Sequence, residues 1–411
     1  MTEFLHVITA DRFTELLGNF PRLPPERVPL DASLHRALHE AVVSPENLPE
    51  RARSTVDGYA VRAEDTFGAS DSIPAFLDVV AAIPMGVLPD FGIRSGQAAQ
   101  IPTGGFLPEG ADAVVMVEYT NMAGSRSIEV TRPVTARTNV LERGEDARLS
   151  DILLPAGKSL RPQEIGFLAA LGITEVVTYR QPKVAVISSG DEVVPITCNP
   201  WPGQIRDANG HSLAALVRAA GAEPILFEIV PDDAGKLIEI LRTALANSDV
   251  VAISGGSSVG TRDLMVDAVG ALPGVEILAH GVAIRPGKPT LLASQNSRAV
   301  FGLPGHPVSA LVVAQVFLAP FLRYLQGGQL EKGPLGDKTK AVLATSVPST
   351  IGLEEYVRVR LGEMPDGARA AYPVFGKSGM LSTMVKADGM IAIPMNVEGL
   401  SKGDTVQVFG I

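Results

Sequence analysis

With 411 residues the chain is too long for one ordinary core, and about two to four domains are expected. A net charge of −10 excludes a general nucleic-acid binder, which needs a basic surface to meet phosphates. The single cysteine, Cys198, excludes an internal disulfide and a multi-cysteine metal site and suits a reducing, cytoplasmic compartment.

Met1 to Arg12 carry Glu3 and Asp11, and no basic segment precedes an apolar one, so no secretory leader is expected. Thr9 or Asp11 can cap a short helix through Leu17, ended by Gly18 and Pro21. From about residue 46 to 147, short β-type runs (Phe76–Ile83, Ala113–Tyr119, Ser127–Thr131) alternate with Pro and Gly, which describes a small β domain. Arg161-Pro162-Gln163-Glu164 opens a helix with proline in its first turn, running to Gly172. If that helix packs on the N-terminal segment, residues 46–147 are an insertion.

From Lys183 the pattern alternates strand and helix. Strands are expected at Lys183–Ser188, Pro224–Val230, Asp249–Ile253, Val275–Leu278 and Arg298–Leu303. Helices are expected at Ser212–Ala220, after Asp232 as N-cap, from Asp263, and over Pro307–Leu325. This alternation predicts a parallel sheet with right-handed crossovers. The longest apolar stretch, Ala310 to Leu322, is broken by Gln315 and Pro320 and falls short of the ~20 residues of a membrane span. Gln326 to Lys338 reads as a linker, and the tail returns to β patterns (Tyr356–Leu361, Met390–Ile393, Thr405–Phe409) that suggest a small barrel or sandwich.

In parallel α/β sheets ligands bind beyond the carboxyl ends of the strands, and the unusual residues fall there. Ser189-Gly190-Asp191-Glu192 ends the first strand and Pro231-Asp232-Asp233 the second. The third leads into Ser254-Gly255-Gly256-Ser257-Ser258 and on to Asp263, a glycine loop before a helix that offers backbone N–H groups to an anion. Arg285-Pro286-Gly287-Lys288-Pro289 follows the fourth, and Leu303-Pro304-Gly305-His306-Pro307 the fifth. Carboxylates near phosphates usually hold Mg²⁺, with Lys and Arg neutralising the remaining charge. Each residue also has a plainer role open to it. Asp232 and Asp263 can be helix caps, Gly190-Asp191 a turn, Arg285 and Lys288 solvated charges, and Asp57-Gly58 or Arg143–Asp146 simple turns. Six histidines without paired spacing make His306 a structural residue rather than a zinc ligand. The residues alone lead to a phosphate-containing ligand with Mg²⁺ on an α/β domain.

Together these motifs resemble the MoeA family of molybdopterin molybdenumtransferases, which includes the E domain of gephyrin. The resemblance runs through STVDGYAVR (Ser54–Arg62), PTGGFLPEGADAVVMVE (Pro102–Glu118), RGED (Arg143–Asp146) and VAVISSGDE (Val184–Glu192). It continues through SGGSSVGTRD (Ser254–Asp263), RPGKP (Arg285–Pro289) and GLPGHPVSA (Gly302–Ala310).

The resemblance implies an α/β multidomain homodimer of four parts. These are a connecting and dimerisation α+β domain (1–45 with 148–180) and an inserted β-rich domain (46–147). A parallel or mixed three-layer α/β molybdopterin-binding domain (181–326) and a C-terminal β-barrel-like domain (335–411) complete it. The active site would lie between the α/β domain of one subunit and the inserted domain of the other. The substrate would be adenylylated molybdopterin, supplied by an upstream adenylyltransferase; molybdate enters the dithiolene while the adenylate bond is hydrolysed with Mg²⁺. Carried over as catalytic are Asp57, Asp146, Glu192 and Asp263, with Glu192 and Asp263 as metal ligands. Substrate would meet Thr103, Asp232, the loop Ser254, Gly255, Gly256 and Ser257, then Arg285, Lys288, Pro304, Gly305 and Ser378. Four departures stand out: Arg285 and Gly281 where members carry Lys, His306 for Asn, and Gly105 for Ala. A tungstate-preferring variant and a gephyrin-like scaffold are the alternatives, and neither membrane nor nucleic acid is an expected partner.

Overall fold

The computed structural model describes residues 7–255, 264–364 and 367–411. Their contacts divide the chain into two units, one of residues 1–28, 33–39 and 177–411, the other of residues 29–32 and 40–176.

Helix α1 (Ala10–Leu17) opens the first unit, and Thr9 is its cap: the Thr9 hydroxyl accepts from the Arg12 N–H at 3.2 Å. Ala10, Phe13 and Leu17 recur at helical spacing and are all buried.

The second unit carries a six-stranded sheet of β1 (Gly58–Val61), β2 (Ala75–Ala82), β3 (Gln97–Ile101), β4 (Ala113–Met116), β5 (Thr120–Ala123) and β6 (Ser127–Val130). Their order is β4-β1-β3-β2-β6-β5. The Asp57-Gly58 pair is not the hairpin turn its sequence suggests. Gly58 lies inside β1, paired with Ile101 and Met116, and a Cβ there would collide with the Val115 carbonyl. Outside the sheet, Val42–Val43 pairs with Ile152–Leu154, and Leu48 bridges Ala147. Helix α2 (Pro162–Ala170) packs on the short turn Leu30–Ala32.

The buried Glu164 of α2 receives the Arg161 N–H at 2.9 Å, the Arg161 guanidinium, and Lys158 at 3.3 Å. The hydrogen bonds from the Arg161 side chain lead in pushing its pKa down to about 2, from 4.5. A depressed carboxyl stabilises the fold above the unfolded value and loses that contribution as pH falls through the folded one. Glu164→Gln should therefore be less stable than wild type at pH 7, with the difference fading between about pH 4.5 and 2. Urea melts at stepped pH measure it; a constant difference across that window would contradict the ion-pair assignment.

In the first unit a second six-stranded sheet is built from β7 (Lys183–Ser188), β8 (Glu223–Leu226), β9 (Val250–Ser254), β10 (Val275–His280), β11 (Leu291–Gln295) and β12 (Arg298–Leu303), ordered β8-β7-β9-β12-β11-β10. The β8-β7-β9-β12 portion is parallel, as the alternation predicts, and β11 runs antiparallel between β12 and β10. The sheet is therefore mixed. No crossover helix joins β11 to β12, since only Asn296 and Ser297, both at positive φ, separate the two strands in a tight hairpin.

Alternate residues of the central strands enter two separate cores, as a period of two requires. Val184, Val186, Val250 and Ala252 join Phe13 of α1, Leu213 and Val217 of α3 (Ala208–Ala219), and the helix Pro307–Leu325. Ala185, Ile187, Val251 and Ile253 join Leu237, Leu241, Ala244 and Leu245 of α4 (Ala234–Asn247) and Met265, Ala268 and Val269 of α5 (Leu264–Gly270). Three layers result, and each fully buried Val, Ile or Leu contributes roughly 1.5–3 kcal/mol of burial.

Pro307–Leu325 runs unbroken past Gln315 and Pro320, widening to a π turn over Ala314–Leu318. Among the described residues it is the one helix long and apolar enough to cross a membrane, but 78% of it is buried inside the fold, where it fills the first core. The tail closes into a barrel. Strands β13 (Lys338–Leu343), β14 (Glu354–Glu363), β15 (Arg369–Pro373), β16 (Gly389–Ile393) and β17 (Thr405–Gly410) pair as β14-β15-β13-β17-β16 and back to β14, leaving no free edge within the ring.

Candidate functional site

The carboxyl ends of β7, β9 and β12 meet around a cavity of about 830 Å³ whose walls include Ser188, Ser189, Glu192, Asp207, Ser254, Gly255, Pro304, Gly305 and His306. Three buried serines there have different partners. The Ser188 hydroxyl donates to Asp207 Oδ1 at 2.8 Å, and the same oxygen accepts the Gly210 N–H at 2.8 Å, so Asp207 caps α3. Ser189 and Ser254, 4% and 2% exposed, have hydroxyls that find no partner among the described residues. A buried hydroxyl left unpaired costs about 1–3 kcal/mol, which a ligand with a matching polar group would restore.

Two glycines shape this edge. At Gly255 (φ +115°) a Cβ would collide with the Ser189 carbonyl oxygen and lie 2.7 Å from its hydroxyl. At Gly190 (φ +144°) it would lie 2.7 Å from a Glu192 carboxylate oxygen. Glycine is what leaves room for the serine pair and for the Glu192 carboxylate over the turn.

The cap on α4 is Asp233, not Asp232: Asp233 Oδ1 accepts the Lys236 N–H at 2.8 Å. Asp232 is thereby free of the structural role its sequence suggests. Its N–H donates to Asp191 Oδ1 at 3.1 Å, and its own pKa is raised, first by burial and then by the negative charges of Asp191 and Glu192. Among the described residues no three carboxylate, histidine or cysteine side chains are grouped to hold a metal. Gly256, Ser257 and Asp263, expected in the anion loop and as a metal ligand, lie outside the described residues.

A second cavity, about 730 Å³, shares Pro289 and Ser309 with the first. It lies where the barrel meets the α/β sheet: Ile284–Arg285 pairs in parallel with Glu354–Glu355 of β14, and the Val308 N–H donates to the Ser378 carbonyl at 3.0 Å. Arg285, Lys288 and Ser378 come together in its wall. The structure adds Arg358, Lys377 and Glu355, which were not singled out from sequence. Arg358 is 8% exposed and donates to the carbonyls of Val374 and Gly376, at 3.4 and 3.2 Å. Burial lowers its pKa and the Glu355 charge opposes that; a guanidinium stays protonated regardless. No spacing in Tyr356–Leu361 separates buried Arg358 from exposed Arg360, two residues on.

In the other unit Asp57 and Thr103 form a pair. Asp57 Oδ1 accepts the Thr103 N–H at 2.7 Å and its hydroxyl at 3.0 Å, and these bonds lower the Asp57 pKa. Asp146 is exposed on the Arg143–Asp146 turn, its N–H donating to the Leu48 carbonyl at 3.0 Å, and its carboxylate bonds to neither partner of that pair. Gly105 fits its place: a Cβ would sit 2.7 Å from Ile101 Cγ1. His306 lines the first cavity at the start of the helix Pro307–Leu325, with no capping bond from its side chain.

Three family models match in succession: the MoeA N-terminal region (domain I and II) over residues 8–172, a probable molybdopterin binding domain over 185–324, and the MoeA C-terminal region (domain IV) over 340–410. The chain is 38% identical to the molybdopterin molybdenumtransferase of a Nostoc species, over 93% of this chain and 88% of that one. It is 33% identical to the molybdopterin molybdenumtransferase of Bacillus subtilis, over 93% and 89%. A solved structure titled as a molybdopterin biosynthesis moeA protein from Pyrococcus horikoshii superposes with a TM-score of 0.84 at 31% identity, covering 98% of this chain and all of that one.

Proposed function

We propose a reaction and its placement from one premise: the chain belongs to the MoeA family. The protein is a molybdopterin molybdenumtransferase. Its substrate is adenylylated molybdopterin, and transfer of molybdenum from molybdate accompanies hydrolysis of the adenylate to AMP. The observation that carries the placement is the pair of buried hydroxyls, Ser189 and Ser254, without partners among the described residues, beside Glu192 in one cavity and next to a cationic cavity that shares its wall.

In this proposal Ser189 and Ser254 bond the polar edge of the substrate, and Pro304 and Gly305 shape the floor beneath it. Arg285, Lys288, Arg358 and Ser378 hold molybdate, matching a dianion to fixed cations. The sulfurs that accept the metal belong to the substrate, so one exposed cysteine suffices for the chain. A divalent cation suits the acidic turn, because burial first, and then the charges of Asp191 and Glu192, already raise the Asp232 pKa. Glu192 and Asp263 would hold Mg²⁺, with substrate oxygens supplying further ligands, and the ion would polarise the phosphoanhydride.

Ser189→Ala with Ser254→Ala should weaken molybdopterin binding by about 10- to 100-fold, from two hydrogen bonds of ordinary strength. Equilibrium fluorescence titration reads this, and unchanged affinity would move the pterin elsewhere.

The homodimer belongs to the same proposal, with Asp57, Thr103 and Asp146 of one subunit completing the site of the other, and so does the division into four domains at 46, 148, 181 and 335. Co-expressed Asp57→Asn and Glu192→Gln chains should regain activity through mixed dimers that hold one intact site. No recovery would count against sharing. Cytoplasmic residence and supply by an upstream adenylyltransferase complete the picture, checked by cell fractionation and by pull-down with that enzyme.

A further inference from the structure

Among the residues lining the cationic cavity there is one acid, Glu355, set against Arg285, Lys288, Arg358 and Lys377. We propose that Glu355 is a specificity-determining residue that limits how tightly this cavity holds a doubly charged oxyanion. The inference rests on the placement of molybdate proposed above.

Glu355 is held in place. Its backbone pairs with Arg285 across the parallel bridge, and its Oε2 accepts the Ser349 hydroxyl at 3.0 Å. Its other oxygen, Oε1, lies 3.8 Å from Arg285 Nε, and the side chain is only 17% exposed. A carboxylate so anchored cannot swing to solvent when an anion enters, and it lowers the positive potential of the cavity throughout.

Electrostatic energy scales with ligand charge, so this reduction costs a dianion twice what it costs a monoanion of the same shape. The restraint has a use. Molybdate must leave its cradle for the substrate's sulfurs, and ground-state binding that is too strong raises the barrier to that transfer. The site therefore combines enough cations to collect the oxyanion with one fixed anion that keeps it transferable.

The probes are molybdate, a tetrahedral dianion, and perrhenate, a tetrahedral monoanion of similar size. Isothermal titration of the full-length protein gives both dissociation constants. Glu355→Gln, which keeps shape and a hydrogen-bond acceptor for Ser349, should tighten molybdate about 10-fold and perrhenate about 3-fold, the square root. With molybdate varied in the assay, KM should fall and kcat fall with it. Glu355→Asp retains the charge and should keep the wild-type ratio, which guards against a folding artefact in the glutamine variant. Equal changes for the two anions, no change, or weaker binding of both in Glu355→Gln would each overturn the proposal. Weaker binding of both would mean that Glu355 serves to hold Arg285 for the anion. Lys288→Ala separates the two levels of the account. If wild-type molybdate binding is insensitive to it, the oxyanion lies elsewhere, and the role of Glu355 falls with that placement.

Discussion

Glu192→Gln is expected to lower kcat/KM for adenylylated molybdopterin by about 10²–10³-fold, the usual loss when one preorganised group facing a developing charge is removed. The side chain lines the first cavity from a turn whose glycine leaves it space, and it lies close enough to Asp232 to raise that residue's pKa. The substitution therefore carries a second, independent signature. Removing the Glu192 charge should lower the Asp232 pKa toward its ordinary value, observable by carboxyl-carbon NMR. Raised carboxyls add stability below their unfolded pKa and lose it as pH rises through the folded one, so this variant should gain slightly at neutral pH. A stable, well-folded Glu192→Gln protein with near-normal turnover would demote the residue to a turn.

The second large effect belongs to Arg358. Its guanidinium is buried, its hydrogen bonds among the described residues go to two backbone carbonyls, and it lines the cavity with further N–H donors. Charge-assisted hydrogen bonds contribute about 1.5–3 kcal/mol each, so Arg358→Ala should weaken molybdate binding by roughly 10- to 150-fold. Molybdopterin affinity, governed by the neighbouring cavity, should change little. Since the substitution also leaves the Val374 and Gly376 carbonyls unpaired, Arg358→Lys and a thermal melt belong beside it. The lysine keeps the charge but not the fork, and should recover part of the affinity. Equal loss of pterin and molybdate binding would indicate general disruption rather than a lost anion contact.

Much of this was legible in the chain itself. The alternation of Val184, Val186, Val250 and Ala252 with Ala185, Ile187, Val251 and Ile253 writes both helix-covered faces into short strands, and the structure places them in two cores. Strand ends announced themselves by glycine and acid, which is why Glu192, Asp232, Gly255 and Gly305 were in reach of sequence reasoning. Hidden features were those decided by tertiary contact. Asp232-Asp233 offers two equal caps, and only the path of the chain gives the role to Asp233. Ser188 and Ser189 are adjacent and chemically identical, yet one is committed to Asp207 and the other finds no partner among the described residues. Arg358 and Glu355 are ordinary members of a charged strand until barrel closure and the bridge to Arg285 turn them into one cavity. The Asp-Gly signal misled because Gly58 answers a close interstrand approach rather than a turn.

The central claim is that this chain joins molybdenum to molybdopterin at the edge of its α/β sheet, with loss of AMP. The most direct test incubates the purified protein with adenylylated molybdopterin, Mg²⁺ and either molybdate or tungstate, following AMP release and metal bound to pterin. The account predicts AMP and metal-loaded pterin in equal amounts with molybdate, both lost in Glu192→Gln. Tight pterin binding with no AMP release under any of these conditions would contradict it and leave the fold as a scaffold.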